Sequence, residues 1–173
     1  MINLELSFVT EYPHGLEHIP LFDGGEWIRW FSHSDFSHVD IIQGGMRFGA
    51  RSDYPVNGKT GVQIRPMDYA VFRRDERVVI PAFREPLDCA VIWLNKQVGK
   101  PYDTTGLFRS FLFDDMNWRT EDRWWCSELG TVYVETALNK RVLTAANRMT
   151  PNDLYLWAGA QSGVQSYSAL RTS

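Results

Sequence analysis

Apolar and polar residues alternate from the start of the chain, with Ile2, Leu4, Leu6 and Phe8 set against Asn3, Glu5 and Ser7. A period of two gives a strand one face for each set, so the pattern predicts a half-buried strand over residues 1–10. Pro13, Gly15, Pro20, Gly24 and Gly25 then interrupt any periodicity, and residues 11–25 read as a loop. Residues 26–31, EWIRWF, are a candidate short helix. His38 to Ile42 reads as a strand, Gly44-Gly45 as its turn, and Met46, Phe48 and Ala50 as the inward set of the next strand. A polar loop is expected over residues 52–61, then a short strand from Gly61 to Arg65 stopped by Pro66. Tyr69–Phe72 and Val78–Ile80 suggest a further hairpin around the charged RRDE run.

The period lengthens after Pro86. Leu87, Ala90, Val91, Leu94 and Val98 fall on one helical face, with Pro86 near the start and Gly99 past the end. A second helix is expected over 104–113. A third begins near Cys126 and carries Leu129, Val132, Tyr133, Thr136 and Ala137 at helical spacing. Thr150-Pro151 looks like a cap followed by proline at the first helical position. The Ser- and Gly-containing residues 161–173 read as a frayed tail. The sum is one α+β domain over 1–173, with an antiparallel sheet drawn mainly from the first half and helices from the second.

Composition narrows the partners. The 173 residues suit a single core, and the net charge of -3 comes without a basic cluster. Arg73-Arg74 is cancelled at once by Asp75-Glu76, so no nucleic-acid surface is expected. No basic n-region precedes the first apolar residues, and no apolar run approaches a transmembrane span. Two cysteines do not make a disulfide framework. These features suggest a cytoplasmic protein with reduced thiols, and a phage-encoded protein would share them.

The chemistry-bearing candidates are few. Cys126 stands at the predicted first turn of a helix, where unpaired N–H groups and the helix dipole favour thiolate. A cysteine there is either an activated nucleophile or a buried packing residue. Cys89 lies inside a predicted helix beside Ala90 and Val91 and is assigned to packing, so Cys126 is expected to be the more reactive thiol. His38 opens a strand, from which an imidazole can reach a facing helix start; it can equally be an ordinary core or surface histidine. His14, His18 and His33 fall in loops or at loop edges. No CxxC, HxxxH or HExxH spacing occurs, which argues against a metal site, and no GxGxxG or P-loop occurs. No cofactor is implied.

SDFSHVDII followed by WWCSELGTVYVE, with GKPYD between them, resembles the permuted NlpC-type papain-like cysteine peptidases, a superfamily that includes the lecithin:retinol acyltransferase-like proteins. MRFGAR and GVQIRP resemble the strands after the histidine in small phage-encoded members. The likeness spans roughly residues 26–157. It implies a papain-like sheet packed against helices, with Cys126 as nucleophile, His38 as base and a peptide or acyl substrate, cell-wall peptides foremost. Relatives tend to carry a polar residue, often Glu, on the strand after the histidine. The matching stretch here is Phe48-Gly49-Ala50, which offers none. Asp40, on the same strand face as His38, and Gln63, on a neighbouring strand, are the favoured substitutes; Glu128, two residues past Cys126 on a helix, points away. Trp124, Trp125 and Trp30 are candidates for a groove wall or for the core. The rival to catalysis is a binding or structural module that keeps the fold.

Overall fold

The computed structural model describes residues 2–11, 35–106, 122–142, 144–162 and 167–168. Its strands are β1 (Ile2–Glu11), β2 (His38–Gln43), β3 (Met46–Val56), β4 (Lys59–Pro66), β5 (Phe72–Ala82) and the two-residue β6 (Tyr167–Ser168). Its main helices are α1 (Arg84–Gln97), α2 (Cys126–Leu138) and α3 (Pro151–Gln161). The sheet runs β4-β3-β2-β1-β5-β6, with every pair antiparallel. The architecture is therefore the expected mixture of an antiparallel sheet with helices.

One face of the sheet is apolar. Leu4, Leu6, Phe8, Val39, Ile41, Phe48, Ala50, Val62, Val78 and Ile80 are all buried, and they share a core with Leu87, Ala90 and Leu94 of α1 and Leu129, Tyr133 and Val134 of α2. Burying these side chains is the main source of stability, at roughly 25 cal/mol per Å² of apolar surface removed from water. Gly130 lets α2 approach closely, since a Cβ there would lie 3.6 Å from the Val39 side chain and 3.1 Å from Leu154. The start of α3 carries the predicted cap in full. Thr150 accepts from the Asp153 N–H, and Asp153 accepts from the Thr150 N–H in return.

Four expectations need correction. The RRDE run is not a turn: β5 passes straight through it and pairs with β1 along its length. Its charges are accommodated because Arg74 and Glu76, two apart on the strand, form an ion pair on one face. The stretch 52–61 is not a loop either. The β3–β4 hairpin extends through it and turns at Asn57-Gly58, both with positive φ (51° and 75°), the geometry of a two-residue hairpin turn. Its exposed polar residues imitate a loop because this arm projects beyond the core. β1 is buried on both faces towards its end, with Ser7 and Val9 as inaccessible as Phe8. The tail assigned to fraying begins at the last residue of α3, Gln161, and within it Tyr167–Ser168 pair with Arg77 and Glu76 of β5. Residues 104–106 are helical, whereas 107–113 and the candidate helix 26–31 lie outside the described residues.

The link from β4 to β5, residues 67–71, determines what happens on the other face. The two strands it joins are separated in the sheet by β3, β2 and β1. A flat sheet would hold them about 19 Å apart, close to the roughly 20 Å limit of six extended residue steps. The link is not extended, because the Tyr69 N–H bonds back to the Pro66 carbonyl. The sheet must therefore curl towards the face that the link crosses.

A second packing constraint ties the GKPYD segment to the sheet. The Val62 N–H donates to the Lys100 carbonyl and the Gly99 N–H to the Val62 carbonyl. A Cβ on Gly61, whose φ is +97°, would lie 2.1 Å from that Lys100 oxygen. Gly61→Ala is expected to destabilise the protein by about 1–3 kcal/mol in urea unfolding, with Thr60→Ala as the nearly silent control.

Candidate active site around His38, Asp40 and Cys126

The face opposite the apolar core is polar yet equally dry. Asp40 is wholly buried, and Arg47, Arg51 and Arg65 are 1%, 3% and 1% exposed. Strand parity produces this surface. His38 and Asp40 point to one side of β2 while Val39 and Ile41 point to the other, and Arg47, Gly49 and Arg51 share that polar side on β3. Buried charges persist when paired and hydrogen-bonded, as Asp40, Arg47 and Arg51 are. Arg65 is held instead by the Tyr54 and Gly49 carbonyls, at 3.1 Å each, and its Nη2 has no partner among the described residues.

His38 Nε2 lies 2.8 Å from Asp40 Oδ1. The other carboxylate oxygen of Asp40 accepts from the Tyr69 hydroxyl at 3.0 Å and from Arg47 Nη1 at 3.5 Å. Arg47 also donates to the Ser7 hydroxyl at 2.6 Å and to the Met67 carbonyl at 3.1 Å, and it pairs with Asp75. Arg51 grips Asp53 with two bonds of 2.7 Å, pairs with Glu11, and donates to the Tyr69 hydroxyl at 3.0 Å.

These contacts decide protonation. Burial pushes the Asp40 carboxyl up, but His38, Arg51 and Arg47 outweigh it and hold its pKa at about 2. Asp40 is thus an anion at neutral pH and must accept the proton between it and His38. Burial and the Arg51 charge lower the His38 pKa, and the opposing pull of Asp40 does not compensate. The ring is therefore neutral, with its proton on Nε2 and a lone pair on Nδ1, the form that can act as a base.

Gly49 makes room for the pair. A Cβ there would lie 2.0 Å from Asp40 Oδ1 and 3.0 Å from His38 Nε2. The position expected to supply an orienting side chain is empty because Asp40 fills its space from the neighbouring strand. Gln63 stands opposite Gly49 in the ladder, but its side chain reaches the Thr60 carbonyl at 3.5 Å, and Asp40 occupies the bonding position at Nε2. Of the two favoured substitutes, Asp40 contacts His38.

Cys126 is the first residue of α2 and only 2% exposed. α2 packs on the apolar face, and its first residue, Cys126, is met by the Val39 N–H at the start of β2. Burial raises the thiol pKa to about 11, against the lowering effects of the Val39 and Ser127 N–H groups and the Arg51 charge. The expectation of a resting thiolate is thereby corrected, because desolvation outweighs the helix terminus. Cys89 also departs from expectation. It is exposed on α1 rather than packed, since the apolar stripe of that helix runs through Leu87, Ala90 and Leu94.

Sequence reasoning missed Tyr102. Its half-buried ring is held beside Cys126 because the 99–103 segment pairs with the residues before α2: Trp124 donates to the Pro101 carbonyl and Asp103 to the Trp124 carbonyl. Burial and a charge on Cys126 both raise the Tyr102 pKa, so the hydroxyl keeps its proton. The GKPYD match was the available signal. Trp124 and Trp125, candidates for a groove wall or for the core, are 4% and 2% exposed, as core residues are; Trp124 also donates to Gln97 at 3.1 Å. Glu128 is buried in the first turn of α2. Trp30, His14, His18 and His33 lie outside the described residues. Among the described residues no group of three or more His, Cys, Asp or Glu side chains is placed to hold a metal, and no helix is long and apolar enough to cross a membrane.

With known proteins as the comparison, no family model matches the chain and no curated protein is significantly similar to it.

The two buried titrations give the fold an acid-sensitive stability. His38 binds a proton more readily unfolded than folded, so stability falls as pH drops below about 6.5. Asp40 adds a second loss, from about pH 4 down through its folded value of about 2. The thermal midpoint of wild type should decline faster than that of His38→Gln between pH 8 and pH 5.5. Gly49→Ala should destabilise the fold by about 1–3 kcal/mol, with loss of the hydrogen-bonded Nε2 proton from the NMR spectrum.

Proposed function

We propose that this chain is a cysteine hydrolase or acyl-transfer enzyme of the permuted NlpC-type, papain-like kind. The observation that carries the reading is the buried His38–Asp40 pair on the strand whose next N–H faces the Cys126 sulfur. Asp40 fixes the ring tautomer, and Nδ1 of neutral His38 takes the thiol proton as sulfur attacks a carbonyl carbon. The resting thiol makes this a proton transfer coupled to attack rather than the use of a stored thiolate. The Tyr102 hydroxyl and the Cys126 N–H at the helix start stabilise the oxyanion. The proton passes to the leaving amine or alkoxide as its bond to carbon breaks. Water, deprotonated by His38, then cleaves the thioester and restores the thiol. The resemblance of SDFSHVDII, GKPYD and WWCSEL favours peptide amides, cell-wall peptides foremost.

A second reading is a binding or structural module that keeps the fold. The observation favouring it is the Cys126 thiol itself, buried and pushed up to about 11.

Labelling distinguishes the two. Because exposed Cys89 competes for reagent, the measurement uses a Cys89→Ser background. Iodoacetamide at pH 8 should modify Cys126 at least tenfold more slowly after His38→Ala, in line with the usual contribution of a general base. p-Nitrophenyl acetate should leave an acetyl group on Cys126, found by mass spectrometry. Tyr102→Phe should slow acylation about tenfold or more while leaving iodoacetamide labelling nearly unchanged, because alkylation develops no oxyanion. A His38→Ala protein that labels and acylates like its parent favours the binding module.

A further inference from the structure

Tyr69 lies outside the nucleophile–base constellation, on the link that crosses the polar face of the sheet. Its hydroxyl accepts from Arg51 Nη1 at 3.0 Å and donates to Asp40 Oδ2 at 3.0 Å. Having one proton to give, it gives it to the carboxylate, because the guanidinium has no acceptor to offer. The chain Arg51 → Tyr69 → Asp40 ← His38 is thus directed throughout, each donor pointing at the next acceptor. The ring is held edge-on by Tyr54 and Phe72, with centroids 5.5 Å away in both cases, and the Arg65 guanidinium lies 5.5 Å from its face.

We infer that Tyr69 is a positioning residue that sets the basicity of His38 by dividing the Asp40 carboxylate between two donors. The inference rests on the reading of His38 as the base. A carboxylate that receives a second strong hydrogen bond is a weaker acceptor for the first. Tyr69 therefore limits how far Asp40 can stabilise a protonated imidazole, and helps keep the ring neutral and able to accept a proton. The neighbouring cations act in the same sense: Arg47, Arg51 and Arg65 face Asp40 from β3 and β4. Asp53 opposes them by raising the His38 pKa, but it is engaged by Arg51, as Asp75 of β5 is by Arg47. The hydroxyl is retained throughout the accessible range, since burial and Asp40 raise the Tyr69 pKa far above its ordinary value.

Removing the hydroxyl and removing the carboxylate should therefore move His38 in opposite directions. In Tyr69→Phe the carboxylate concentrates on Nε2–H, and the His38 pKa should rise by about half a unit or more. In Asp40→Asn it should fall below the wild-type value. NMR titration of the imidazole reads both, and circular dichroism confirms folding. The pH dependence of iodoacetamide labelling at Cys126, in the Cys89→Ser background, should shift upward with the Tyr69→Phe titration. A merely structural role for Tyr69 would lower the melting temperature and leave both titrations in place, and that result overturns the inference. If His38→Ala leaves labelling unchanged, the assignment of the base fails instead, so the two failures are distinguishable. Should Tyr69→Phe not fold, wild-type protein carrying carbon-13 at tyrosine Cζ replaces it. The Tyr69 signal should inflect at the His38 pKa, and a flat signal overturns the inference.

Discussion

A carboxylate with no access to water governs one whole side of this molecule. Asp40 cannot be hydrated, so its charge must be met by protein donors. His38, Tyr69 and Arg47 supply them from three parts of the chain. Each donor brings further requirements. Arg47 needs Ser7 and Asp75, and Tyr69 brings Arg51, which needs Glu11 and Asp53. A buried charge of this kind contributes little net stability, but removing one partner leaves another uncompensated, at a typical cost of about 3–5 kcal/mol. The network therefore acts mainly to specify geometry. It requires one path for the 67–71 link, one register for β3 against β4, and one orientation of the His38 ring.

The apolar face and the polar face do different work. The apolar side supplies the burial that holds α1 and α2 against the sheet. The polar side determines which proton sits on which nitrogen. β2 belongs to both by alternation alone, since Val39 and Ile41 serve the core while His38 and Asp40 serve the site. α2 begins beside the start of that strand, where the Val39 N–H faces the Cys126 sulfur. The sulfur is dry there, which raises the thiol pKa and makes a coupled proton transfer, rather than a stored ion pair, the natural form of the proposed chemistry.

What the sequence revealed followed the strength of its periodic signals. β1, β2, α1 and the start of α3 were legible because alternation, helical spacing and capping residues agreed there. β5 was misread because RRDE carries turn-like polarity while its charges are neutralised in pairs on a strand. The Asn57-Gly58 turn was hidden in a polar stretch that resembles a loop. At the candidate site, the helix start at Cys126, the strand at His38 and the shared face of Asp40 were legible from pattern, while only the resemblance joined cysteine and histidine into a pair. The neutral state of His38 and the raised pKa of Cys126 were not legible, because desolvation depends on what the whole fold lays over a residue. Arg47, Arg51, Arg65 and Tyr69 gave no local signal, being ordinary polar residues on strands and a link until the sheet curls.

Gly49 is the residue whose influence is hardest to see. It contacts nothing through a side chain, yet a single methyl group there would occupy the volume of the Asp40 carboxylate. The histidine and its carboxylate partner are thereby confined to a three-residue stretch of one strand, with a vacancy across the ladder as the third component. Such an arrangement is portable. An antiparallel pair with histidine and aspartate two apart on one strand and glycine facing the aspartate holds the same geometric information, and transplanting it would require an accurate hole as much as the right functional groups.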